Sequence, residues 1–404
     1  SIKNSGVPSA AGAGSVLQTG ENNTMNYIGS GDSSDRTLSL FGGGNDFVNS
    51  SGSGALIWTG PFENTRSAAS ISPFGGSNTS SNEFRGNLTN SAFGALSVSK
   101  GNGGTWILSG TNTYTGVTTI GAGVLRIVHG LALGDTNGTV QSGNSALEID
   151  GAISPVIVGA EALSINGTGI ANGGALRNIA GNNTFGGTVT LAAESRINSD
   201  SGTLTLDNPV AVAGAGQNVI IGGAGNVTIP GGITALNVTK DGTGTLTLPG
   251  TNTYAGTTTI IAGKVLLGGG LSTNMNQVVV TGTDSSLILT NGARLFTTNG
   301  MIFVGTSGTI ALYSNTVWNM RGVNTNPGNQ VSGTSNRFLV ADGAIVTNTF
   351  GVGNTLVVNG NYCTLEVVNG GKVYWQNGGV LFGQGATRNN RILIGGSGAP
   401  AYMQ

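Results

Sequence analysis

The sequence has little charge and almost none of the residues that build metal sites or disulfides. Its 404 residues include one Cys and one His, and 8% are Asp, Glu, Lys or Arg, against about 25% in an average domain. One cysteine cannot form an internal disulfide, and together with one histidine it cannot form a Cys/His metal site. The 16 basic and 17 acidic side chains nearly cancel, whereas a nucleic-acid binder needs a basic surplus. We therefore expect no nucleic-acid partner.

Long hydrophobic runs and heptads are also missing. No run approaches the 18 or so apolar residues of a membrane span, and no charged heptad pattern typical of a coiled coil is present. The chain starts at Ser1 and not at Met, without an apolar leader. We interpret it as an exported protein whose signal peptide has been removed, with no membrane span.

Glycine and small polar residues are abundant. The 73 glycines are irregularly spaced, which excludes a collagen helix. Runs rich in Thr, Val, Ile and Leu recur every 8 to 15 residues and are separated by Gly, Asn, Ser and Asp, which is typical of strands and turns. The sequence therefore predicts an all-β protein.

An internal repeat identifies the architecture. Residues 94–127 and 234–267 align without gaps. Each copy contains Leu-x-Val-x-Lys, then Gly-Thr-Asn-Thr-Tyr, then Gly-x-Thr-Thr-Ile-x-Ala-Gly, and residues 181–191 form a degenerate third copy. Tandem repeats of strand-forming sequence favour a solenoid, in which each turn buries its apolar side against its neighbours.

The last third of the chain carries a different repeat. Residues 287–295, 338–346 and 365–373 each read as strand, Asn-Gly or Asp-Gly, strand. Such a dipeptide closes a β-hairpin or turns a corner between two faces of a solenoid. The tandem repetition favours the corner.

We therefore predict a right-handed parallel β-helix, that is, a β-solenoid, of roughly 16 to 20 coils with about 20–25 residues each and a coil spacing of about 4.8 Å. Three segments are expected. Residues 1–90 form a β-rich cap or assembly region, residues 91–270 form the β-helix with the long repeats, and residues 271–404 form a solenoid with Asn/Asp-Gly repeats.

The long repeat resembles the autotransporter-associated β-strand repeat, also called the passenger-associated transport repeat. The resemblance covers residues 94–269, a little under half of the chain. It implies a parallel β-helix on, or secreted from, a bacterial cell surface, in which the repeat is a stalk and not an active site. The family includes adhesins.

Catalysis is the first alternative, because β-helices also carry enzymes that cleave polysaccharides with clustered carboxylates. Glu148 and Asp150 form the tightest strand pair and share one face of the strand. Alternation places Leu147 and Ile149 inward, so the acids are better explained as outward residues next to a corner at Gly151. We expect no catalytic residue and no enzyme activity.

Metal and cofactor sites are the second alternative. Residues 42–48 partly resemble a calcium-binding nonapeptide, but a single copy lacks the ligands that successive coils supply. Cys363 alternates with core positions and has no neighbouring His, which favours a buried inert thiol. His129 is interpreted as a corner residue. The sequence predicts no metal and no cofactor.

Aromatic residues are the remaining candidates for binding, because they can stack on sugars when exposed. Trp106 occupies the repeat position held by Leu246, which favours packing in the core. Tyr374 and Trp375 are consecutive on a predicted strand, so one of them must point outward. We expect this pair to supply the contact residue.

The main functional prediction is a secreted structural protein of the bacterial surface that polymerises as the subunit of a homopolymeric filament or surface layer. The alternative is a monomeric autotransporter passenger that acts as an adhesin, with a glycan or another cell surface as partner. A polysaccharide-active enzyme is the third reading.

Overall fold

The structure, a computed structural model, describes residues 1–20, 22–42, 47–67, 69–135, 137–214, 216–320, 329–348, 355–375, 379–383, 389–395 and 401–403. The chain forms two compact units, Ser1–Leu204 and Thr205–Gln404. Apart from a 3₁₀ turn at Ile170–Asn172, the regular structure of the described residues consists of β-strands.

The strands are short and follow one another closely along the chain. The first fifteen are β1 (Val16–Gly20), β2 (Thr24–Tyr27), β3 (Ser30–Ser34), β4 (Thr37–Phe41), β5 (Phe47–Ser50), β6 (Gly54–Trp58), β7 (Phe62–Asn64), β8 (Ser70–Gly75), β9 (Asn82–Phe84), β10 (Leu96–Lys100), β11 (Thr105–Leu108), β12 (Thr118–Ile120), β13 (Gly123–Ile127), β14 (Thr139–Gln141) and β15 (Ser145–Asp150). The next fifteen are β16 (Ile157–Val158), β17 (Leu163–Gly167), β18 (Leu176–Ala180), β19 (Asn182–Phe185), β20 (Val189–Ser199), β21 (Thr203–Leu206), β22 (Val210–Ala213), β23 (Val219–Gly222), β24 (Asn226–Thr228), β25 (Gly232–Ile233), β26 (Val238–Lys240), β27 (Thr245–Leu248), β28 (Thr258–Ile260), β29 (Lys264–Gly268) and β30 (Leu271–Met275). The last are β31 (Val278–Val280), β32 (Ser286–Thr290), β33 (Arg294–Thr297), β34 (Met301–Phe303), β35 (Thr309–Leu312), β36 (Val317–Met320), β37 (Asn329–Val331), β38 (Arg337–Val340), β39 (Ile345–Asn348), β40 (Leu356–Val358), β41 (Thr364–Val368), β42 (Lys372–Trp375), β43 (Val380–Phe382), β44 (Arg391–Gly395) and β45 (Tyr402–Met403).

Strands pair in parallel with the strands one turn before and one turn after, except at sheet edges such as β1 and β7, which in the described structure pair only with β4. In unit 1 one face runs β2–β5–β8–β10–β12–β14–β17–β20 and another runs β3–β6–β9–β11–β13–β15–β18–β20. In unit 2 the corresponding runs are β23–β26–β28–β31–β34–β37–β40–β43, β24–β27–β29–β32–β35–β38–β41–β44 and β30–β33–β36–β39–β42–β45. The predicted parallel β-solenoid is confirmed.

The number of turns is about 15, below the predicted 16 to 20, because many turns are longer than expected. Asn112 and Ala132, hydrogen-bonded between adjacent turns of unit 1, are 20 residues apart. Met301 and Asn329, bonded in the same way in unit 2, are 28 residues apart. Insertions at the corners lengthen a turn without changing the strand register, because register is set by the alternation of buried and exposed residues.

The Asn-Gly and Asp-Gly dipeptides are corners and not hairpins. β32 and β33 flank Asn291-Gly292, yet β32 pairs with β35 and β33 pairs with β36. Asn291, Asp342 and Asn369 have φ of 56°, 53° and 49°. Asn and Asp tolerate this left-handed conformation better than other residues with a side chain, so the corner interpretation is confirmed.

The core of unit 1 contains a stack of aromatic rings. The rings of Phe62 and Phe84 lie 6.1 Å apart, those of Phe74 and Phe84 5.5 Å apart, and those of Phe74 and Trp106 5.0 Å apart. These four side chains come from three successive turns, with Phe74 and Phe84 on the middle one. Their contacts add to the apolar burial that holds one turn against the next.

Residues 1–12 fold against the first turn around a buried arginine. Arg36, 1% exposed, donates to the backbone carbonyls of Lys3, Ala11 and Gly12 at 2.8, 3.1 and 2.6 Å. The fold therefore orders this Gly- and Ser-rich segment although it contains no described strand. The cap or assembly role of residues 1–90 stays a prediction.

Candidate binding surface

The lysine of each long repeat lies inside the solenoid. Lys100 is 0% and Lys240 2% exposed. The Lys100 ammonium donates to the carbonyls of Gly101, Asn102 and Ala122 at 2.7, 2.9 and 3.0 Å, and Lys240 binds the three equivalent carbonyls at 2.6, 2.7 and 3.3 Å. An ammonium has three N–H donors, so the repeat lysine joins two turns and has no donor left for a ligand.

Burial lowers the pKa of Lys100 from 10.5 to about 8. Between these values the unfolded chain binds the proton more tightly than the folded protein does, so the stability should increase as the pH rises from 8 to 10.5. The expected result is a difference in Tm between the wild type and Lys100→Met that shifts in favour of the wild type over this range. Thermal unfolding at several pH values measures it, and a constant difference would contradict the lowered pKa.

The tyrosine, threonine and asparagine of the repeat are structural as well. Tyr114 shares a 2.6 Å hydrogen bond with Thr118, and Tyr254 shares one of the same length with Thr258. Burial raises the pKa of both tyrosines. The Asn112 amide bonds to the backbone of both neighbouring turns, at 2.9 and 2.6 Å. In the second copy Asn252 donates to the Gly250 carbonyl, but its side-chain oxygen is buried without a partner among the described residues. The lysines and tyrosines of the repeat are engaged inside the solenoid, so a binding surface must be sought on the outer faces.

The acids predicted to point outward lie in an arginine ladder. Glu148 is paired with Arg126 on the preceding turn and with Arg177 on the following turn. Arg126 Nη2 lies 2.7 Å from Glu148 Oε2, and Arg177 Nη1 lies 3.1 Å from Glu148 Oε1. Glu148 is on the outer face as expected, but it is only 3% exposed because the two arginines cover it. Both of its oxygens are engaged, and Asp150 lies 3.8 Å from Arg126 Nη1.

The ladder continues for one more turn. Arg177 Nη2 lies 2.6 Å from Asp200 Oδ2, and both side chains are 32% exposed. The hydrogen bond with Asp200, together with the charges of Asp200 and Glu148, raises the pKa of Arg177. In the Arg126–Glu148 and Arg177–Asp200 pairs, two nitrogens of the guanidinium contact the same carboxylate oxygen. Such charge-assisted hydrogen bonds hold the charged groups in a defined geometry.

A second charged group lies earlier on the same face of unit 1. Glu83 Oε2 accepts from Arg85 Nη2 at 2.8 Å, and Glu83 Oε1 accepts from the Ser109 hydroxyl at 2.7 Å. The Arg85 side chain is 52% exposed and that of Glu83 17%. The carboxylate is thus held on both sides, and it positions a largely exposed guanidinium.

A groove of about 430 Å³ opens beside Arg85. It lies between the corner that follows β6 and the corner that follows β9. The lining residues are Thr59, Gly60, Pro61, Phe62, Arg85, Gly86, Asn87 and Thr89. The two glycines bring the backbones of adjacent turns together: a Cβ on Gly86 would lie 2.8 Å from the Gly60 carbonyl oxygen.

The structure places the predicted contact pair on opposite sides of β42. Tyr374 is half-buried on the outer face, and Trp375 is buried at 8% exposure. Their role in contact stays a prediction. His129 is exposed beyond the end of β13, and Cys363 is 0% exposed, with its pKa raised by burial. The structure thus places the thiol in the core, as predicted.

The remaining tryptophans are interior residues. Trp58, Trp106 and Trp318 are each 0% exposed. Their indole N–H groups donate to the Arg36 carbonyl, the Gly75 carbonyl and a threonine hydroxyl at 2.8, 2.8 and 3.1 Å. These tryptophans pack in the core and cannot stack on a sugar at the surface.

The calcium-like segment 42–48 lies for the most part outside the described residues, since residues 43–46 are not described. Across the described part of the chain, no group of three or more His, Cys, Asp or Glu side chains could hold a metal ion. Within the same residues, no helix has the length and apolar character required to cross a membrane.

The charged residues that the fold assembles are not evident from the sequence. Arg126, Glu148 and Arg177 are separated by 22 and 29 residues and meet only because their strands stack in register. A charged residue at the same position in consecutive strands was the available signal, and the variable turn length concealed it.

Comparison with known proteins identifies the same two repeats that were recognised in the sequence. Residues 98–127 and 238–267 match the family model described as passenger-associated-transport-repeat. The adhesin BmaC autotransporter of Brucella suis biovar 1 is 36% identical over 137 residues. That match covers 32% of this chain and 4% of the adhesin, so the chain corresponds to a small part of this relative. No solved structure is significantly similar to the chain.

The repeats, the parallel turns and the similarity to an adhesin all lead to the same conclusion about the family relationship. The chain is a parallel β-solenoid that carries two passenger-associated transport repeats and is homologous to an autotransporter adhesin.

Proposed function

We propose that the chain is an adhesive segment of an autotransporter passenger, exposed outside a bacterial cell, and that it contacts its target through the charged face of unit 1. The relative is named an adhesin, and the buried lysine and tyrosine of each long repeat are hydrogen-bonded inside the solenoid, which is consistent with a supporting role for the repeats. This is the alternative stated from the sequence. The filament prediction finds no support in the comparisons and stays a prediction, as does the absence of enzyme activity.

The observation that carries the proposal is a cluster of charged side chains, held in place by hydrogen bonds and ion pairs, on a chain that has few charged residues. The charged face is defined by Glu83, Arg85, Arg126, Glu148, Arg177 and Asp200. Its carboxylates are held by partners on adjacent turns, and Arg85 is held by Glu83 on its own turn. Little side-chain entropy is therefore lost when a partner binds. Such pre-positioned polar groups favour recognition of a polar partner such as a glycan or the surface of another cell.

The test is an adhesion assay with the purified full chain on inert beads. The double variant Glu83→Gln/Arg85→Gln removes an exposed ion pair of the charged face and keeps the net charge. We expect wild-type beads to bind cultured epithelial cells well above albumin-coated beads, and this variant to bind at least threefold less.

The matched control is Arg337→Gln/Glu366→Gln. This pair joins adjacent turns of unit 2 through Arg337 Nε and Glu366 Oε2 at 2.6 Å, and its arginine is 44% exposed. We expect the control to bind like the wild type. Wild-type beads that bind no better than albumin beads would overturn the adhesive function, and an equal loss in the control would overturn the choice of face.

A further inference from the structure

The groove beside Arg85 has the features of a ligand site. It is a more specific candidate than the charged face as a whole. Its volume is about 430 Å³, near the lower end of the usual range for small-molecule pockets. We infer that this groove binds an anionic saccharide unit, with Arg85 as the partner of its carboxylate or sulfate group. The inference deepens the proposed adhesive function and rests on it.

The positive charge of Arg85 in the groove favours an anionic ligand. Arg85 is the one charged side chain among the described lining residues. A guanidinium carries five N–H donors, and in the described structure a side-chain hydrogen bond from Arg85 is found only at Nη2, to Glu83. The guanidinium is therefore oriented by one bond and retains donors for an oxyanion. Arginine is well suited to bind carboxylate and sulfate groups in a bidentate manner.

The rest of the lining suits a sugar ring. The Thr89 hydroxyl and the Asn87 amide nitrogen offer polar groups to a sugar, whereas the Thr59 hydroxyl donates to the Ser34 carbonyl and Asn87 Oδ1 accepts from the Thr111 N–H. Pro61 is exposed and provides an apolar surface for the C–H face of the ring. Phe62 adds only a small exposed area, because its ring packs on Phe84 in the core. This mixture of an apolar wall and a few placed polar groups is typical of small-ligand sites.

A peptide strand fits the groove less well. Strand addition needs an open sheet edge, but β6 and β9, the strands that precede the two corners of the groove, are paired with each other. The Gly60 carbonyl lies against Gly86, and the Asn64 amide reaches the Thr89 carbonyl at 3.5 Å across the gap between these turns. A groove of about 430 Å³ is near the lower end of the range for small-ligand pockets, which favours a saccharide unit over an extended peptide.

The experiment measures binding of defined oligosaccharides to the full chain by isothermal titration calorimetry at low salt. An oligogalacturonide supplies carboxylates, a heparin-derived oligosaccharide supplies sulfates, and a dextran oligosaccharide is the neutral probe. We expect an anionic probe to bind at least tenfold more tightly than dextran, and its affinity to fall as salt screens the charge. The anionic probe that binds more tightly identifies the anionic group.

Two variants separate the groove from general surface charge. Arg85→Gln removes the guanidinium, and Thr89→Phe fills the groove without changing the charge. Each should weaken binding at least tenfold, whereas Arg337→Gln, which makes the same charge change on unit 2, should bind like the wild type. Circular dichroism and Tm confirm that each variant is folded.

The inference is wrong if neither anionic probe binds, if Thr89→Phe binds like the wild type, or if Arg337→Gln loses as much affinity as Arg85→Gln. If neither anionic saccharide binds but wild-type beads still adhere to cells, the inference about the groove is wrong and the adhesive function stands. Loss of both would overturn the adhesive function as well. An acidic peptide is titrated as a fourth probe. Its binding in place of both anionic saccharides would assign the groove to a protein partner and also contradict the inference.

Discussion

Replacement of Lys240 by methionine is expected to lower the free energy of unfolding by about 3–4 kcal/mol. The ammonium satisfies three backbone carbonyls at a corner between two turns, and methionine fills a similar volume with no donor. The carbonyls then stay buried without their partner, and each unpaired group costs about 1–3 kcal/mol, partly recovered because the cost of burying the charge is also removed. Urea unfolding of the full chain measures the change.

The control for this substitution is in the same repeat. Lys264 is exposed at the start of β29, and Lys264→Met should change the stability by less than about 0.5 kcal/mol. Lys100→Met should behave like Lys240→Met near neutral pH, because the two ammonium groups have equivalent partners. If Lys240→Met is as stable as the Lys264→Met control, the repeat lysine does not hold the turns together.

Trp106→Ala is expected to cost about 4 kcal/mol, in the range for a buried aromatic residue truncated to alanine. The ring is 0% exposed, stacks 5.0 Å from Phe74 and donates its N–H to the Gly75 carbonyl at 2.8 Å. Truncation leaves a cavity in the aromatic stack and an unpaired carbonyl. Denaturant unfolding followed by circular dichroism, which does not depend on the lost fluorophore, gives the loss.

The second copy of the repeat provides a graded comparison, since Leu246 occupies the equivalent position and is also 0% exposed. Trp106→Leu keeps an apolar residue that this fold accepts at that position, so it should cost less than half as much as Trp106→Ala. Equal losses for the two substitutions would show that the ring itself, and not apolar filling of the turn, is required there.

The solenoid could be predicted because its repeats are recognisable in the amino-acid sequence. The two long repeats place a buried lysine, tyrosine and asparagine at equivalent positions, and the Asn-Gly corners recur where the strands change face. The number of turns could not be predicted as well, because a corner insertion changes the length of a turn without disturbing the inward pattern of its strands.

The candidate surface was much less predictable. Glu148 and Asp150 were recognised as outward neighbours, but the burial of Glu148 depends on Arg126 and Arg177, which lie on other turns. The groove beside Arg85 depends on where the three-stranded sheet β1–β4–β7 ends. Both features depend on contacts between stacked turns, and these contacts cannot be inferred from the residues of a single turn.

The parallel stacking also has a mechanical consequence within each unit. A pull along the stacking direction stretches all hydrogen bonds between two turns at once, together with cross-turn side-chain bonds such as that from Lys100 to the Ala122 carbonyl. Resistance is therefore shared among many bonds until one interface gives way. Each released turn of 20 to 28 residues would lengthen the chain by roughly 7–10 nm, so that a load on the unit would be released in steps and not all at once.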